Sequence, residues 1–191
     1  MNNFLFGFKH IIDWNAIDHF LFILMICVAF ESNQWKKILK LVYAFTIGHS
    51  LTLFMCSLDL IPPSKYTDFL IPLTIMFSAI SNVIVNKEHI TQYKYDYRFI
   101  LILLFGMIHG LAFAGNFKVL IFDNESITVP LFTFNLGIEI GQILIILIYF
   151  IIVEILKLFI NLNLEKWNIF ISGIGFGISL FLLFRSFNFI Q

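Results

Sequence analysis

Histidine and carboxylate side chains recur inside stretches of this chain that are otherwise strongly apolar. Asp18 and His19 are adjacent in the first stretch, His49 and His109 lie in two others, and Glu139 lies in a fourth. Imidazole nitrogens and carboxylate oxygens are common protein ligands of borderline divalent ions such as Ni²⁺, Co²⁺ and Zn²⁺. These residue types therefore predict a binding site for a divalent transition-metal ion.

The segments that carry these residues are predicted to be membrane helices. Of the 191 residues, 60% are hydrophobic and only 13% are charged, whereas a soluble domain has about 25% charged residues. The formal net charge is zero, so the chain lacks the basic surface that a nucleic-acid partner would require. We expect the lipid bilayer to be its main partner.

Six stretches are long and apolar enough to cross a hydrocarbon core of about 30 Å. They run over residues 11–30, 38–58, 69–85, 99–114, 131–153 and 169–187. The loops between them are too short to fold alone. We therefore predict an all-α membrane protein, in which residues 1–191 form a single bundle of about six transmembrane helices. Eight of the twelve Lys and Arg residues lie in or next to the first, third and fifth loops, which places both termini outside the cytoplasm.

Histidines from three different spans are predicted to lie at one depth. His19, His49 and His109 are each 11 residues from the cytoplasmic end of their span, which is about 16 Å along a helix. Glu139 is eight residues, or about 12 Å, from the outer end of its span. Ionisable groups inside a bilayer are costly and usually mark a functional site. Five polar residues are expected to support this layer: Asp13, Thr46, Ser50, Asn135 and Gln142.

The first span presents a geometric difficulty. In a straight helix His10 points nearly opposite to His19, so the two cannot face one ion. Residues 4–30 form either one long helix or a re-entrant piece followed by a shorter helix, and His10 and Asp13 either share the deeper site or form a separate outer one. We favour a break around residues 13–15, with Asp13 as the N-cap of the helix that follows.

Two glycine pairs and one remaining histidine complete the sequence predictions. Gly137 and Gly141 are four residues apart, as are Gly173 and Gly177. Small residues at this spacing are typical of membrane helix-packing surfaces, and such surfaces could also support a homo-oligomer. His89, in a polar loop, is predicted to be a surface residue.

Five segments, in order along the chain, carry a specific combination of residues. They are GFKHIIDWNAIDHFLF, AFTIGHSLTL, FLIPLTIMFSAISN, FGMIHGLAFA and FNLGIEIGQ, at residues 7–22, 44–53, 69–82, 105–114 and 134–142. This combination resembles the HupE/UreJ family of membrane proteins, in the compact branch common in bacteroidetes-type bacteria. The resemblance covers most of the chain.

The resemblance implies a multi-spanning protein of a bacterial inner membrane, of a kind regarded as a nickel or cobalt permease. The family's nickel signature places a histidine closer to the Asp-His pair than it lies here. In this chain seven residues separate His10 from Asp18, and Asp13 stands nearest to the family spacing. The metal-binding residues that the resemblance implies are His10, Asp18, His19, His49, His109 and Glu139.

Three functions are compatible with this polar layer. The first is a permease for nickel, cobalt or zinc, passive or gradient-driven, since the chain has no Walker A motif. The second is a metal-dependent intramembrane hydrolase, in which the same ligands hold Zn²⁺ and Ser50 and Asp18 assist. The third is a scaffold whose polar layer only holds the helices together. We favour the permease and expect no enzymatic activity.

Overall fold

A computed structural model describes residues 2–13, 16–64, 66–84, 97–121 and 126–190. Within these ranges the chain is helical, with no β-strand. The described α-helices are α1 (Asn3–Ile12), α2 (Ile17–Val28), α3 (Trp35–Ser57), α4 (Thr67–Ile84), α5 (Tyr97–Ile121), α6 (Thr128–Ile160) and α7 (Leu164–Ile190). A short 3₁₀ helix, Ser32–Gln34, leads into α3.

Five of these helices, α3 to α7, are each long and apolar enough to cross a membrane. The pair α1 and α2 passes the same criterion together, but its two helices are bent by 71°. The pair is therefore a broken span or a re-entrant loop, and the described chain has five or six spans. The predicted all-α membrane bundle is confirmed, while the orientation of the termini stays a prediction.

The break in the first span lies where we favoured it, but its capping differs from the prediction. The N-cap position of α2 is Ala16, which makes no side-chain capping bond. Asp13 is instead the C-cap of α1, where its backbone N–H donates to the Lys9 carbonyl at 2.9 Å. The prediction of Asp13 as the N-cap is wrong because α2 begins at Ile17, four residues after Asp13, instead of directly after it. Two of the intervening residues, Trp14 and Asn15, lie outside the described residues.

The helices pack as three pairs around α2. Helix α3 lies along α5, α1 along α6, and α4 along α7. Helix α2 contacts members of all three pairs, and most of its side chains are buried. Its central position explains why a 12-residue helix can be apolar on nearly every face.

Glycines let the backbones of α3 and α5 touch. A Cβ atom added at Gly48 would overlap the Leu103 carbonyl group, and one added at Gly106 would overlap the Phe45 carbonyl group. Apolar burial drives little helix association in lipid, so close van der Waals packing at small residues has to provide it. The α3–α5 contact is the most extensive in the bundle.

The same kind of contact joins α1 to α6. A Cβ at Gly7 would overlap the Phe134 carbonyl group, and one at Gly137 would overlap the Phe4 carbonyl group. Gly141, four residues further on, packs against an α1 side chain. The predicted packing role of Gly137 and Gly141 is therefore confirmed.

The corresponding prediction for Gly173 and Gly177 is wrong within one chain. A Cβ added at either position would meet no atom of another helix of the described chain within 4 Å. The packed glycine of α7 is Gly175, which faces the Met25 side chain of α2. The spacing of small residues correctly predicted that α7 packs through a glycine, but the two glycines at that spacing lie on the exposed face of the helix.

These contacts predict a contrast between two glycine-to-alanine substitutions. Gly106→Ala forces a methyl group into the backbone of α3 and should lower the free energy of unfolding by about 1–3 kcal/mol. Gly177→Ala, in open space, should leave it unchanged or raise it by up to about 1 kcal/mol, because alanine is the better helix former. Thermal unfolding of the purified variants in detergent measures both. Equal effects of the two substitutions would contradict the glycine contact.

Candidate metal centre

Four histidine rings form a row inside the bundle. The ring centroids of His49 and His10 are 6.2 Å apart, those of His10 and His19 are 4.5 Å apart, and those of His19 and His109 are 5.1 Å apart. His19, His49 and His109 are buried and His10 is half-buried. We call these four side chains the histidine row. It contains every histidine of the chain except His89.

The bend between α1 and α2 brings His10 and His19 together. His10 lies in the last turn of α1 and His19 in the first turns of α2. A continuous helix would direct the two rings to nearly opposite sides. Because the helices meet at 71°, both rings lie on the same side of the bend.

The glycine contacts between α3 and α5 position the other two rings. Gly48 precedes His49, and Gly110 follows His109. A Cβ at Gly110 would collide with the backbone of His49 and with the Thr52 hydroxyl group. The backbones therefore touch at the level of the histidines, where the His109 ring meets His19 of α2 and the His49 ring meets His10 of α1.

Hydrogen bonds orient two of the rings. Nδ1 of His109 lies 2.9 Å from the Phe105 carbonyl oxygen. A carbonyl oxygen only accepts, so Nδ1 carries the proton and Nε2 of the neutral ring keeps a lone pair. Nδ1 of His19 lies 3.2 Å from Oδ1 of Asp18, and an ionised carboxylate selects the same tautomer. Histidines that bind metals commonly donate their second N–H to a carboxylate or backbone carbonyl in this way.

Five of the other six ring nitrogens are buried and lack hydrogen-bond partners in the described part of the chain. They are Nε2 of His10, His19 and His109, and both nitrogens of His49, none of which is in a well-formed hydrogen bond. The His49 ring does lie close enough to the Asn135 side chain to interact with it, so the three Nε2 atoms are the clearest unpaired groups. A buried polar atom without a partner costs about 1–3 kcal/mol. Such atoms are rare in native proteins and each calls for an explanation, such as a bound ion or a functional role.

Aromatic rings enclose the histidine row. The Phe113 ring lies 4.0 Å from the His10 ring between centroids, and it stacks on Phe134 at 5.3 Å and 5°. At the other end of the row, the Phe45 ring lies 5.2 Å from the His109 ring. The row therefore lies in a largely dry environment, where electrostatic interactions are stronger than in water.

The histidine row is not arranged as a finished coordination site. Among the described residues, no three His, Cys, Asp or Glu side chains are placed so that they could hold one ion. Two imidazoles bound to one tetrahedral ion have ring centroids about 5 Å apart, given a metal–nitrogen distance of about 2.0–2.1 Å. The His10–His19 and His19–His109 distances of 4.5 and 5.1 Å are close to this value. These two pairs of rings are therefore spaced like two ligands of one ion, while a third ligand is not in place among the described residues.

A cavity adjoins the row through Asp18. It has a volume of about 270 Å³ and lies between the first turns of α2 and α4 and the end of α7. Its charged lining residues are Asp18, Asp68 and Arg185. Asp68 was not among the predicted site residues, because the sequence prediction began the third span at residue 69 and left Asp68 in the preceding loop. In the structure Asp68 lies in the first turn of α4.

Glu139 lies in a different part of the molecule. It is half-buried and lines an open groove of about 530 Å³ between α3 and α6, together with Thr46, Ser50 and Asn135. Most of this groove is apolar. Asn135 connects the two regions, because it also lies beside His49. The structure thus groups Asp18 with the histidine row and places Glu139 in the groove.

The other residues predicted to support the site have identifiable contacts. The Thr46 hydroxyl donates to Oε1 of Gln142 at 3.2 Å and so ties α3 to α6, with both side chains buried. The Ser50 hydroxyl donates to the Thr46 carbonyl at 2.6 Å. Asp13 is exposed at the bend, and His89, the predicted surface residue, lies outside the described residues.

A comparison with protein families identifies the chain at family level. The model of the HupE / UreJ protein family matches residues 1–185. No curated protein and no solved structure matches the chain. The family is of the transporter type and is linked to nickel and cobalt. Since the match spans nearly the whole sequence and agrees with the helical membrane bundle, this integral membrane protein belongs to the HupE/UreJ family.

Proposed function

We propose that the protein is a permease for a divalent transition-metal ion of the nickel or cobalt type, and that the ion passes through the histidine row. The observation that carries the proposal is the set of buried ring nitrogens that have no hydrogen-bond partner among the described residues. Neutral imidazole nitrogens can replace the hydration shell of a borderline ion. The incomplete geometry suits transport, because a permeating ion must also be released.

The cavity beside Asp18 supports an access route to the row. Asp18 lines this cavity and also accepts a hydrogen bond from His19. Asp68 adds a second carboxylate to the same cavity. The two carboxylates outnumber Arg185, the one basic residue of the lining, so the cavity has a net negative charge. Negative charge at the entrance of a dry site raises the local concentration of cations. An ion would pass from the carboxylates to Nε2 of His19.

Packed aromatic rings close the opposite side of the row. Phe22 lies 4.9 Å from Phe45, 6.0 Å from Phe105 and 5.6 Å from His109, measured between ring centroids. Rings at these distances are in contact. The described conformation therefore corresponds to a state that is accessible from the Asp18 side and closed beyond Phe22. Release of the ion requires these rings to move.

Removal of the two end histidines tests the proposed function. The double substitution His49→Ala and His109→Ala should slow Ni²⁺ uptake by reconstituted vesicles at least about tenfold, because it removes ligands from both ends of the row. Co²⁺ and Zn²⁺ are measured in parallel. His89→Ala serves as the matched control and should transport at the wild-type rate.

Two results would count against the permease. Unchanged uptake by the double variant would remove the histidine row from the transport path. Metal bound by the wild-type protein without any flux would instead favour a metal-dependent hydrolase, and a scaffold would bind no metal at all. Elemental analysis of the purified protein, run beside the flux assay, separates these outcomes.

The two carboxylates should differ in their effect on metal affinity. Asp18→Ala removes the group that orients His19 and should weaken Ni²⁺ binding about 10–100-fold, the usual cost of losing a hydrogen-bond partner of a ligand. Glu139→Ala should leave Ni²⁺ affinity within about twofold of wild type, since the structure places Glu139 in the groove. Titration of the purified variants with Ni²⁺ measures both. The reverse order would place Glu139 among the ligands.

A further inference from the structure

A second buried polar group, the Arg98 side chain, lies at the N-terminal end of α5, away from the histidine row. Arg98 is in the first turn of α5 and its side chain is only 7% exposed. An arginine guanidinium is always protonated in proteins and has five N–H donors. Nε and Nη2 of Arg98 have no hydrogen-bond partner within the described structure. The Phe30 ring lies 5.6 Å from the guanidinium carbon, but a ring face supplies no charge to balance it.

The guanidinium faces a small cavity between α2, α4 and α5. The cavity has a volume of about 30 Å³, where about 10–15 Å³ suffices for one water molecule. Its polar lining comes from Ser78, Ser81 and Asn82 of α4, besides Arg98 itself. Each of these residue types carries a hydrogen-bond donor, and none of the described lining residues is acidic.

We propose that this cavity binds one small monovalent anion of the size of chloride, held by Arg98 and the α4 hydroxyl groups. A buried charge is strongly unfavourable unless an opposite charge accompanies it. A water molecule could accept hydrogen bonds from the free N–H groups but would supply no negative charge, and none of the described residues around the cavity supplies one. The cavity volume of about 30 Å³ corresponds to about two water-sized sites, which fits a chloride ion better than the four oxygens of a phosphate group. The ligand class is therefore a halide-like ion rather than a lipid headgroup.

This anion site shares Phe105 with the rings that close the proposed transport path, but none of its proposed ligands belongs to the histidine row. Arg98 and His109 are 11 residues apart on α5, or about 16 Å along the helix. Phe105 lies between them: it lines the anion cavity and its carbonyl accepts from His109. The anion proposal therefore does not depend on metal transport, and a failure of either one leaves the other standing.

Radiolabelled chloride binding tests the proposal. The purified protein, in detergent and in chloride-free gluconate buffer, should bind one ³⁶Cl⁻ per chain in a saturable manner in equilibrium dialysis. Arg98→Gln should weaken this binding at least tenfold. Arg185→Gln removes the exposed second arginine of the chain and should bind chloride like wild type. Chloride should also raise the unfolding temperature of the wild type, but not of Arg98→Gln, relative to gluconate at equal ionic strength.

A second variant keeps the test decisive if Arg98→Gln does not fold. Ser81→Leu fills the cavity but retains the arginine, and it too should weaken chloride binding at least tenfold. Absence of saturable chloride binding by the wild type would overturn the proposal. Wild-type affinity in either Arg98→Gln or Ser81→Leu would overturn it as well.

Discussion

Backbone contact at glycine is the interaction on which the rest of this structure depends. In lipid, helices gain little from burying apolar side chains, because the solvent is equally apolar. Gly48 and Gly106 join α3 to α5, and Gly7 and Gly137 join α1 to α6. Three of these four helices, α1, α3 and α5, each carry one histidine of the row. The contacts that hold the bundle together therefore also set the distances between the rings.

The energetic balance argues against a purely structural role for the histidine row. Interhelical hydrogen bonds such as Thr46–Gln142 contribute about 0.6 kcal/mol on average in membrane proteins. A buried nitrogen without a partner costs about 1–3 kcal/mol, and the row contains several. A layer that served only to cement the helices would have its nitrogens paired. Violations of local rules that persist in a folded protein are expected at functional sites.

The class of fold and the histidines that lie close together could be predicted from the sequence. The contacts of several other residues could not, for physical reasons. Polar residues in apolar stretches are rare enough to indicate both the spans and the site. The break could be predicted because His10 and His19 could not otherwise face one another. Residue spacing shows which side chains share a helix face, but not which neighbour that face meets. For this reason the position of Glu139 in the α3–α6 groove and the exposure of Gly173 and Gly177 had to come from the structure.

Helix α6 is longer than a bilayer requires. Its 33 residues extend about 50 Å at about 1.5 Å per residue, against a hydrocarbon thickness of about 30 Å. Tilts of membrane helices rarely exceed about 40°, so tilt alone cannot absorb the difference. Its last two turns must project into the headgroup layer, where Glu154 pairs with Lys157 and Ser32. Hydrophobic mismatch makes the tilt of α6 sensitive to the thickness of the surrounding membrane. Because α1 packs against Gly137 of α6, the position of α1 should change with that tilt.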